Sequence, residues 1–229
     1  AAMAAELRRR MVGAVGVKTI AAYRIQLDFD PGRPTPEQVD EAAADWLAAV
    51  RPGGRVRLDH PVLIREMIWN AVDLGTAIQF HIGFGDPDVD LHRVNPLCLT
   101  GFLRLTRDSG ARVMLLHCYP FHREAGYLAH VFEHVYCDVG LAINYVGSQS
   151  EQVIAESLEL TPFTKALFSS DAFGAAELHY LGAHLFRRGL TRCLHRWAGQ
   201  DGWPAAEQRR VAELIGRRNA IRGYRLSGL

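Results

Sequence analysis

The stretch ARVMLLHCYPFHREAGYLAHVFEHVYCDVGLAI, residues 111–143, decides the fold. It begins with a continuous apolar run, passes through a segment with helical spacing, and ends in a second apolar run. Apolar strands without an alternating pattern are typical of sheets covered on both faces, and a helix between two such strands indicates a parallel βαβ unit. The stretch therefore predicts a strand at 111–119, a helix at 121–133 and a strand at 135–143.

The same alternation extends in both directions along the chain. Further apolar segments predict strands at 12–25, 77–83 and 165–174. Helical periodicity, with Pro near the starts and Gly after the ends, predicts helices at 33–54, 60–75, 95–110, 148–162, 175–190 and 204–224. Two helices precede the second strand and indicate a helical insertion, because GRVRL at 54–58 is only a weak strand candidate. The pattern as a whole predicts an α/β fold with a parallel sheet.

Composition places the chain among globular proteins and excludes several other classes. Its 229 residues are 48% hydrophobic and 22% charged, which is enough for a core of its own. The net charge of +1 gives no electrostatic reason to expect a nucleic-acid partner. No apolar run approaches the roughly 20 residues of a membrane helix. We expect one domain over 1–229, with neither nucleic acid nor a membrane as partner.

The cysteines and the first residues bear on where the protein works. Cys98, Cys118, Cys137 and Cys193 form no CxxC pair and lie in apolar segments, which predicts reduced, buried thiols and a cytoplasmic location. The chain starts with AAMAAELRRRMVG, without an initial Met and partway along a predicted helix. We therefore expect it to be cut or processed at this end.

Three predicted strands end on side chains that can bind a metal or transfer a proton. AIQFH ends at His81, VMLLH ends at His117 and ALFSSD ends at Asp171, while Lys18 lies within the first strand. His81 and His117 are about one βα unit apart, and His117 and Asp171 about two. Catalytic groups of a (β/α)8 barrel gather at the carboxyl ends of its strands. We therefore expect these side chains to share one rim.

The residue types indicate a metal-assisted reaction. Imidazole and carboxylate ligands suit zinc or a similar divalent ion, which lowers the pKa of a bound water to about 7. Asp171 beside that water could take its proton and pass it to a leaving group. Lys18 could bridge two metal ions only if it were carboxylated; as an ammonium it would hold a substrate carboxylate instead.

Four segments together resemble the metal-dependent amidohydrolase superfamily: QFHIGFGD, LLHCYPFHREAGYLA, VYCDVGLAINYVG and LFSSDAFGAAELHYLGA. They are closest to the amidohydrolase-related group that is sometimes fused to glutamine synthetase-like domains. The resemblance covers about residues 12–190 and implies a distorted TIM (β/α)8 barrel. It implies that Lys18 lies on the fourth barrel strand, His81 on the fifth, His117 on the sixth and Asp171 on the eighth.

The resemblance also implies an activity and a cofactor. It implies hydrolysis of an amide or other C–N bond of a small-molecule substrate by metal-activated water, with zinc as the first choice of metal and iron or manganese as alternatives. The superfamily's first strand carries a His-x-His pair of ligands, and no His-x-His occurs in this sequence. The chain is therefore expected to hold about the last five βα units of the barrel, followed by C-terminal helices.

Other functions stay open on this evidence. Relatives with the same barrel perform nonoxidative decarboxylation of aromatic or unsaturated acids, which product analysis would distinguish from hydrolysis. A non-catalytic barrel that binds a partner is the third possibility, favoured by the absent His-x-His pair if the chain is complete. Aliphatic positions in the helices after residue 175 make a homo-oligomer possible.

Each candidate residue also has a structural explanation. His81 and His117 could be core histidines bonded to backbone carbonyls, Asp171 could cap a helix, and Lys18 could extend from the barrel end to solvent. Arg123 is a candidate for binding a substrate carboxylate, with a surface ion pair as the equal alternative.

The loop after the second strand gives a further candidate. Asp86 lies there with Asp88, Asp90 and His92, and the loop is predicted to be solvated or to face the substrate. The remaining candidates are predicted to be structural histidines on helix faces or ends: His130, His134, His179, His184 and His195.

Overall fold

A parallel four-stranded sheet forms the centre of the fold in a computed structural model that describes residues 2–51, 53–54 and 56–227. Its strands follow one another in space in chain order: β1 (Gly16–Thr19), β2 (Ala77–His81), β3 (Arg112–Leu116) and β4 (Val135–Cys137). In the register of the sheet Lys18 pairs with Gln79, and Gln79 with Met114. Sequential parallel neighbours joined by helices are the arrangement of one side of a TIM-type barrel. The predicted α/β fold is confirmed.

The helices fill the connections between strands and the C-terminal third of the chain. They are α1 (Ala2–Arg10), α2 (Pro36–Ala49), α3 (Pro61–Val72), α4 (Thr100–Thr106), α5 (His122–Val131), α6 (Gly140–Val146), α7 (Ser150–Ser157), α8 (Ala176–Asp201), α9 (Ala205–Glu213) and α10 (Asn219–Gly223). Short 3-10 turns occupy Ala21–Tyr23, Leu91–Val94, Pro96–Leu99 and Gly147–Gln149, and a π-turn at Leu214–Arg218 joins α9 to α10. Among the described residues, no helix has the length and apolar character needed to cross a membrane.

Capping chemistry explains why α2 begins where the sequence predicts. The hydroxyl of Thr35 accepts the backbone N–H of Gln38 at 3.3 Å, and the Gln38 side chain accepts the backbone N–H of Thr35 at 2.9 Å. This reciprocal capping box satisfies two N–H groups that a helix start leaves without partners. Pro36 fits the first helical position because its missing N–H is not needed there.

The outer face of the sheet packs against the helices in one continuous apolar core. Alternate residues of β2 and β3 point to this side, among them Phe80, Val113 and Leu115, all fully buried. Phe80 meets Phe102 of α4 with ring centroids 5.6 Å apart. Burying one such side chain stabilises the fold by about 1.5–3 kcal/mol, so this face contributes substantially to stability.

The inner face of the sheet is covered by the C-terminal end of the chain. Its residues Ala77, Met114, Leu116, Tyr136 and Leu167 form a separate cluster, against which Ala220 and Tyr224 pack. The Gln79 amide donates a hydrogen bond to the Tyr224 hydroxyl at 2.7 Å. In a closed barrel this face points to the barrel interior, and here α10 and the residues after it occupy part of that space.

The strands are shorter than predicted at their carboxyl ends. Residues 20–25 turn away from the sheet because the Thr19 hydroxyl accepts the Ala21 N–H at 3.1 Å, and a 3-10 turn follows. The strand expected over 135–143 ends at Cys137 and gives way to α6. The strand predicted over 165–174 is reduced to one parallel bridge between Cys137 and Ala166. GRVRL forms no strand over its described residues, Gly54 and 56–58, and its residue 55 lies outside the described part.

Two further predictions need correction. The helix predicted over 175–190 continues to Asp201 as α8. Cys98 is exposed rather than buried, because it lies on the outer side of the 3-10 turn that begins at Pro96, whereas Cys118, Cys137 and Cys193 are buried as predicted.

Candidate functional site

Two histidines meet where β2 and β3 end. His81 is the last residue of β2, and His117 follows the last residue of β3. Their ring centroids lie 4.8 Å apart, and the two residues are only 3% and 1% exposed. Because neighbouring parallel strands end at the same edge, the sheet itself places the two imidazoles side by side.

Asp171 and Lys18 join the histidines at this edge. Oδ2 of Asp171 lies 3.5 Å from Nε2 of His117, and Oδ1 of Asp171 lies 3.8 Å from Nζ of Lys18. The His117 contact is too long or misdirected for a hydrogen bond. The structure therefore brings together Lys18, His81, His117 and Asp171, the four residues that the strand pattern selects. What each of them does stays a prediction.

Burial keeps both imidazoles neutral at neutral pH. Desolvation, followed by the proximity of His117, lowers the pKa of His81 to about 4, against a weaker opposite effect of the Phe84 carbonyl. Desolvation likewise lowers the pKa of His117 to about 4, although the negative charge of Asp171 acts in the other direction. A neutral imidazole has a free lone pair on one nitrogen, which is the form that binds metals.

Asp138 organises this edge of the sheet and was missed by the sequence reasoning. Its Oδ1 atom accepts hydrogen bonds from the backbone N–H of His117 at 2.9 Å, the backbone N–H of Gly140 at 2.8 Å and the hydroxyl of Ser169 at 3.0 Å. Burial raises the pKa of Asp138, while these hydrogen bonds oppose that effect. One carboxylate oxygen thus ties the ends of β3 and β4 to the segment that carries Asp171. An acid inside the apolar run VYCDVGLAI was the available signal.

The backbone at the candidate site is strained. His117, Cys118 and Asp171 have φ angles of 73°, 58° and 46°, in the left-handed region that side chains other than glycine rarely adopt. Each such residue costs on the order of 1–3 kcal/mol and persists only where the surroundings enforce it. The hydrogen bond from His117 to Asp138 is one such enforcing contact. Strain of this kind is typical of functional sites.

Tyr23 is the second residue that the sequence reasoning missed. Its hydroxyl lies 2.8 Å from Nε2 of His81, and Nε2 also lies 3.1 Å from the carbonyl oxygen of Phe84. Burial and the negative charges of Asp86 and Asp171 raise the pKa of Tyr23 to about 12, so the phenol keeps its proton. Tyr23 follows β1 in a stretch predicted as strand, and this prediction gave no reason to place it at the rim.

The donors at this edge do not by themselves form a metal centre. Neither nitrogen of the buried His117 ring has a hydrogen-bond partner among the residues that the structure describes. His81, by contrast, faces the Tyr23 hydroxyl. Within the described part of the chain, no group of three His, Cys, Asp or Glu side chains could hold a metal ion.

The two predicted substrate-binding residues lie in different surroundings. Asp86 belongs to the loop after β2 and accepts a hydrogen bond from the backbone N–H of Asp88 at 3.0 Å. Its negative charge acts to raise the pKa values of both Tyr23 and His81. Arg123 instead points to the outer side of α5, where it pairs with Glu159 at 2.8 Å and Glu156 at 3.1 Å.

Arg123 thus forms a surface ion pair, which was the alternative to binding a substrate carboxylate. None of its polar partners belongs to the candidate site.

Comparison with known proteins places this geometry in a family. The model of the family described as amidohydrolase matches residues 1–226. The protein fluG of Emericella nidulans is 30% identical over an alignment of 225 residues, and the alignment covers 93% of this chain and 26% of that protein. A crystal structure from Lactobacillus casei, provisionally described as a metal-dependent hydrolase, is 33% identical with a TM-score of 0.83. The alignment covers 92% of this chain and 55% of that one.

These matches agree with the geometry but extend over only part of each relative. The chain spans about a quarter of the length of fluG and about half of the crystallised protein. The family model, in contrast, matches this chain almost from end to end. The chain therefore belongs to the amidohydrolase family.

Proposed function

We propose that this chain carries part of the active site of a metal-dependent hydrolase that cleaves an amide or other C–N bond. The observation that carries the proposal is His117, a buried neutral imidazole with Asp171 beside it and with no hydrogen-bond partner at either nitrogen in the described part of the chain. An unsatisfied buried polar group costs about 1–3 kcal/mol, a cost that a bound ion would remove. Family membership and the provisional description of the Lactobacillus casei relative support the same activity.

The donors fit a divalent ion in chemistry but do not lie close enough together to hold one. Two neutral imidazoles and a carboxylate suit zinc, with iron and manganese as alternatives. Catalytic zinc sites use three protein ligands, and His81, His117 and Asp171 are not close enough together to hold an ion by themselves. A complete centre therefore requires either ligands beyond these three side chains or a rearrangement of His81.

In the proposed reaction Asp171 transfers a proton and Tyr23 assists it by a hydrogen bond. A divalent ion bound at this edge would supply a water whose pKa is lowered to about 7. In this proposal Oδ2 of Asp171 accepts a proton from that water and returns it to the leaving nitrogen. The Tyr23 hydroxyl, which keeps its proton, can donate a hydrogen bond to an oxygen of the substrate or hold His81 in place.

Lys18 is best explained as a free ammonium. Its Nζ forms an ion pair with Oδ1 of Asp171 at 3.8 Å. A carboxylated lysine would be anionic and would repel Asp171 unless a metal ion lay between them. The ammonium can hold Asp171 in position and can attract the carboxylate of a substrate.

A non-catalytic, partner-binding barrel is the second candidate function. The specific observation in its favour is that no three donors among the described residues form a metal site. Decarboxylation has no such observation in its favour, and analysis of the products, amine against carbon dioxide, distinguishes it from hydrolysis.

The proposal also includes the cellular location of the enzyme and the size of its substrate. All four cysteines are free thiols, as in proteins of reducing compartments, which supports a cytoplasmic enzyme acting on a small molecule. A homo-oligomer stays a prediction.

Zinc binding tests the proposal. The protein, stripped of metal by a chelator, is titrated with Zn²⁺ by calorimetry, next to His117→Gln, Asp171→Asn and the control His195→Gln, which changes an exposed histidine of α8. We expect about one zinc ion per chain, with affinity reduced about tenfold or more in the first two variants and unchanged in the control. Equal affinity in all four proteins, or no binding at all, would favour the non-catalytic barrel. If zinc binds as expected, release of an amine from a panel of amides then tests the reaction.

A further inference from the structure

Three arginines gather at the amino-terminal edge of the sheet, opposite the candidate site. Arg112 is the first residue of β3, Arg222 lies in α10, and Arg225 follows α10. Nη1 of Arg112 donates to the backbone carbonyls of Arg222 at 2.7 Å and Gly223 at 3.2 Å. The beginning of a strand and the C-terminal end of the chain are thus joined through a guanidinium.

Arg225 reaches along the same edge. Its Nη1 donates to the carbonyl of Gly75 at 3.0 Å, and its Nη2 donates to the carbonyl of Gly110 at 3.1 Å. Both carbonyls belong to the turns that precede β2 and β3. Arg225 therefore holds the C-terminal segment against two strand starts.

The cluster has no counter-charge among the described residues. No carboxylate there lies within 4.0 Å of Arg112, Arg222 or Arg225, whereas Arg33 and Arg93 elsewhere each pair closely with an aspartate. Burial, followed by repulsion from Arg225 and Arg222, lowers the pKa of Arg112. Permanent positive charges held close together without an anion repel one another, so a bound anion would stabilise the cluster.

A cavity of about 240 Å³ opens beside Arg112 and Arg225. Arg112, Arg225, Thr76 and Tyr224 line it. A guanidinium has five N–H donors, and Arg112 uses only Nη1 for the backbone carbonyls. Its Nε and Nη2 have no protein acceptor in the described part of the chain. Neither atom is among the buried polar atoms without a partner, so both are accessible and can donate to a ligand.

We propose that this cavity binds a small oxyanion of the phosphate type between Arg112 and Arg225. The planar fork of a guanidinium matches the oxygens of such an anion, and charge-assisted hydrogen bonds of this kind are among the strongest in proteins. The cavity is smaller than the 300–1,000 Å³ typical of drug-sized ligands, which favours free phosphate or the phosphate group of a small ester.

Binding at this edge would be linked to the stability of the C-terminal segment. Both arginines already tie that segment to the sheet, and Tyr224 between them bonds to Gln79 on the inner face. An anion that neutralises the repulsion would favour the docked segment over the released one, because a ligand of the folded state stabilises it by mass action. This site is independent of the proposed hydrolase activity.

Phosphate binding to the whole chain tests the inference. Binding is measured by ³¹P line broadening and by the melting temperature in sodium phosphate, against sodium chloride at equal ionic strength to remove screening effects. Sodium sulfate and adenosine 5′-monophosphate are the comparison ligands. The variants are Arg112→Gln, Arg112→Lys and Arg225→Gln. The control is Arg187→Gln, which changes an exposed arginine of α8 that also has no carboxylate partner within the described ranges.

The expected result is saturable phosphate binding to the wild type and to Arg187→Gln, with affinity about tenfold or more weaker in Arg112→Gln and Arg225→Gln. Arg112→Lys should lose most of the affinity while keeping the charge, which separates fork geometry from net charge. Tighter binding of the monophosphate ester than of free phosphate identifies an ester as ligand, and the reverse identifies the free ion. Absence of saturable binding to the wild type, or equal affinity in Arg225→Gln with circular dichroism showing a folded chain, would overturn the inference.

Discussion

The backbone N–H of His117 donates to Oδ1 of Asp138 at 2.9 Å, so the residue that carries the proposed function is held through its main chain by a buried carboxylate directly after the next strand. The same oxygen holds Ser169, two residues before Asp171. The distance between His117 and Asp171 is therefore set by a third residue, which needs no contact with a substrate.

Replacing Asp138 tests this arrangement. Asp138→Ala removes the acceptor of three hydrogen bonds and leaves buried donors unsatisfied, so we expect a loss of about 3 kcal/mol or more in the free energy of unfolding. Asp138→Asn keeps an oxygen acceptor and should lose about 1 kcal/mol. Urea denaturation measures both values, and zinc affinity measured on the folded variants separates positioning from stability. If Asp138→Asn and Asp138→Ala are equally stable, the carboxylate oxygen does not organise this edge.

The buried histidines predict acid sensitivity of the metal-free protein. An unfolded histidine has a pKa near 6.5, whereas burial lowers the pKa values of His81 and His117 to about 4. Between these pH values the unfolded chain binds protons that the folded chain does not bind, so stability is present above pH 6.5 and is lost as the pH falls towards 4. The loss is on the order of 3 kcal/mol per histidine.

Urea denaturation at several pH values from 7.5 to 4 measures this effect, in buffer with a chelator. His117→Gln should flatten the pH dependence, and the exposed-residue control His195→Gln should not. If the free energy of unfolding of His117→Gln depends on pH as steeply as that of the wild type, His117 is not a source of the acid sensitivity.

The Tyr23 hydroxyl is expected to hold the ring of His81. Tyr23→Phe removes the contact at 2.8 Å and should reduce stability by about 1 kcal/mol, while the side-chain ¹⁵N resonances of His81 shift. Tyr127→Phe changes a half-exposed tyrosine of α5 and serves as the control. Unchanged His81 resonances in Tyr23→Phe would show that the hydroxyl and the imidazole do not interact in solution.

Close packing at Gly140 predicts a severe effect of a single methyl group. A Cβ on Gly140 would collide with the hydroxyl of Ser169 and would lie 2.8 Å from its carbonyl oxygen. Gly140→Ala should therefore destabilise the protein by about 2 kcal/mol or more, because backbone as well as side chain must move. Gly199→Ala within α8 has open space and should stabilise by up to about 1 kcal/mol. Thermal unfolding compares the two, and equal melting temperatures would refute the close approach.

The sequence could predict residues whose position follows from local periodicity. Lys18, His81 and His117 lie on or directly after apolar runs, and such runs place side chains at strand ends without any knowledge of distant contacts. Asp171 was predicted in the same way, although its strand is reduced to the bridge at Ala166. Asp171 nevertheless lies at the predicted edge of the sheet, because Ser169, two residues earlier, donates a hydrogen bond to Asp138.

The missed residues depend on contacts between distant segments. Tyr23 reaches His81 across 58 positions, and Asp138 reaches Ser169 across 31. Helical and strand periodicity contain no information on such pairs, because each partner fits its own segment equally well in many folds. The early ends of β1 and β4 have the same origin, since side-chain hydrogen bonds at the rim replace the strand ladder there.

The bond between Gln79 and Tyr224 spans 145 positions and has a consequence for how the chain folds. During synthesis all four strands leave the ribosome before the segment that covers their inner face. Until that segment arrives, the apolar side chains of Ala77, Met114 and Leu116 are exposed to water and to other chains. Contacts of such long sequence separation form late and slow the search for the native state. The segment around Tyr224, which is made after all four strands, thus limits how soon the sheet is protected from aggregation.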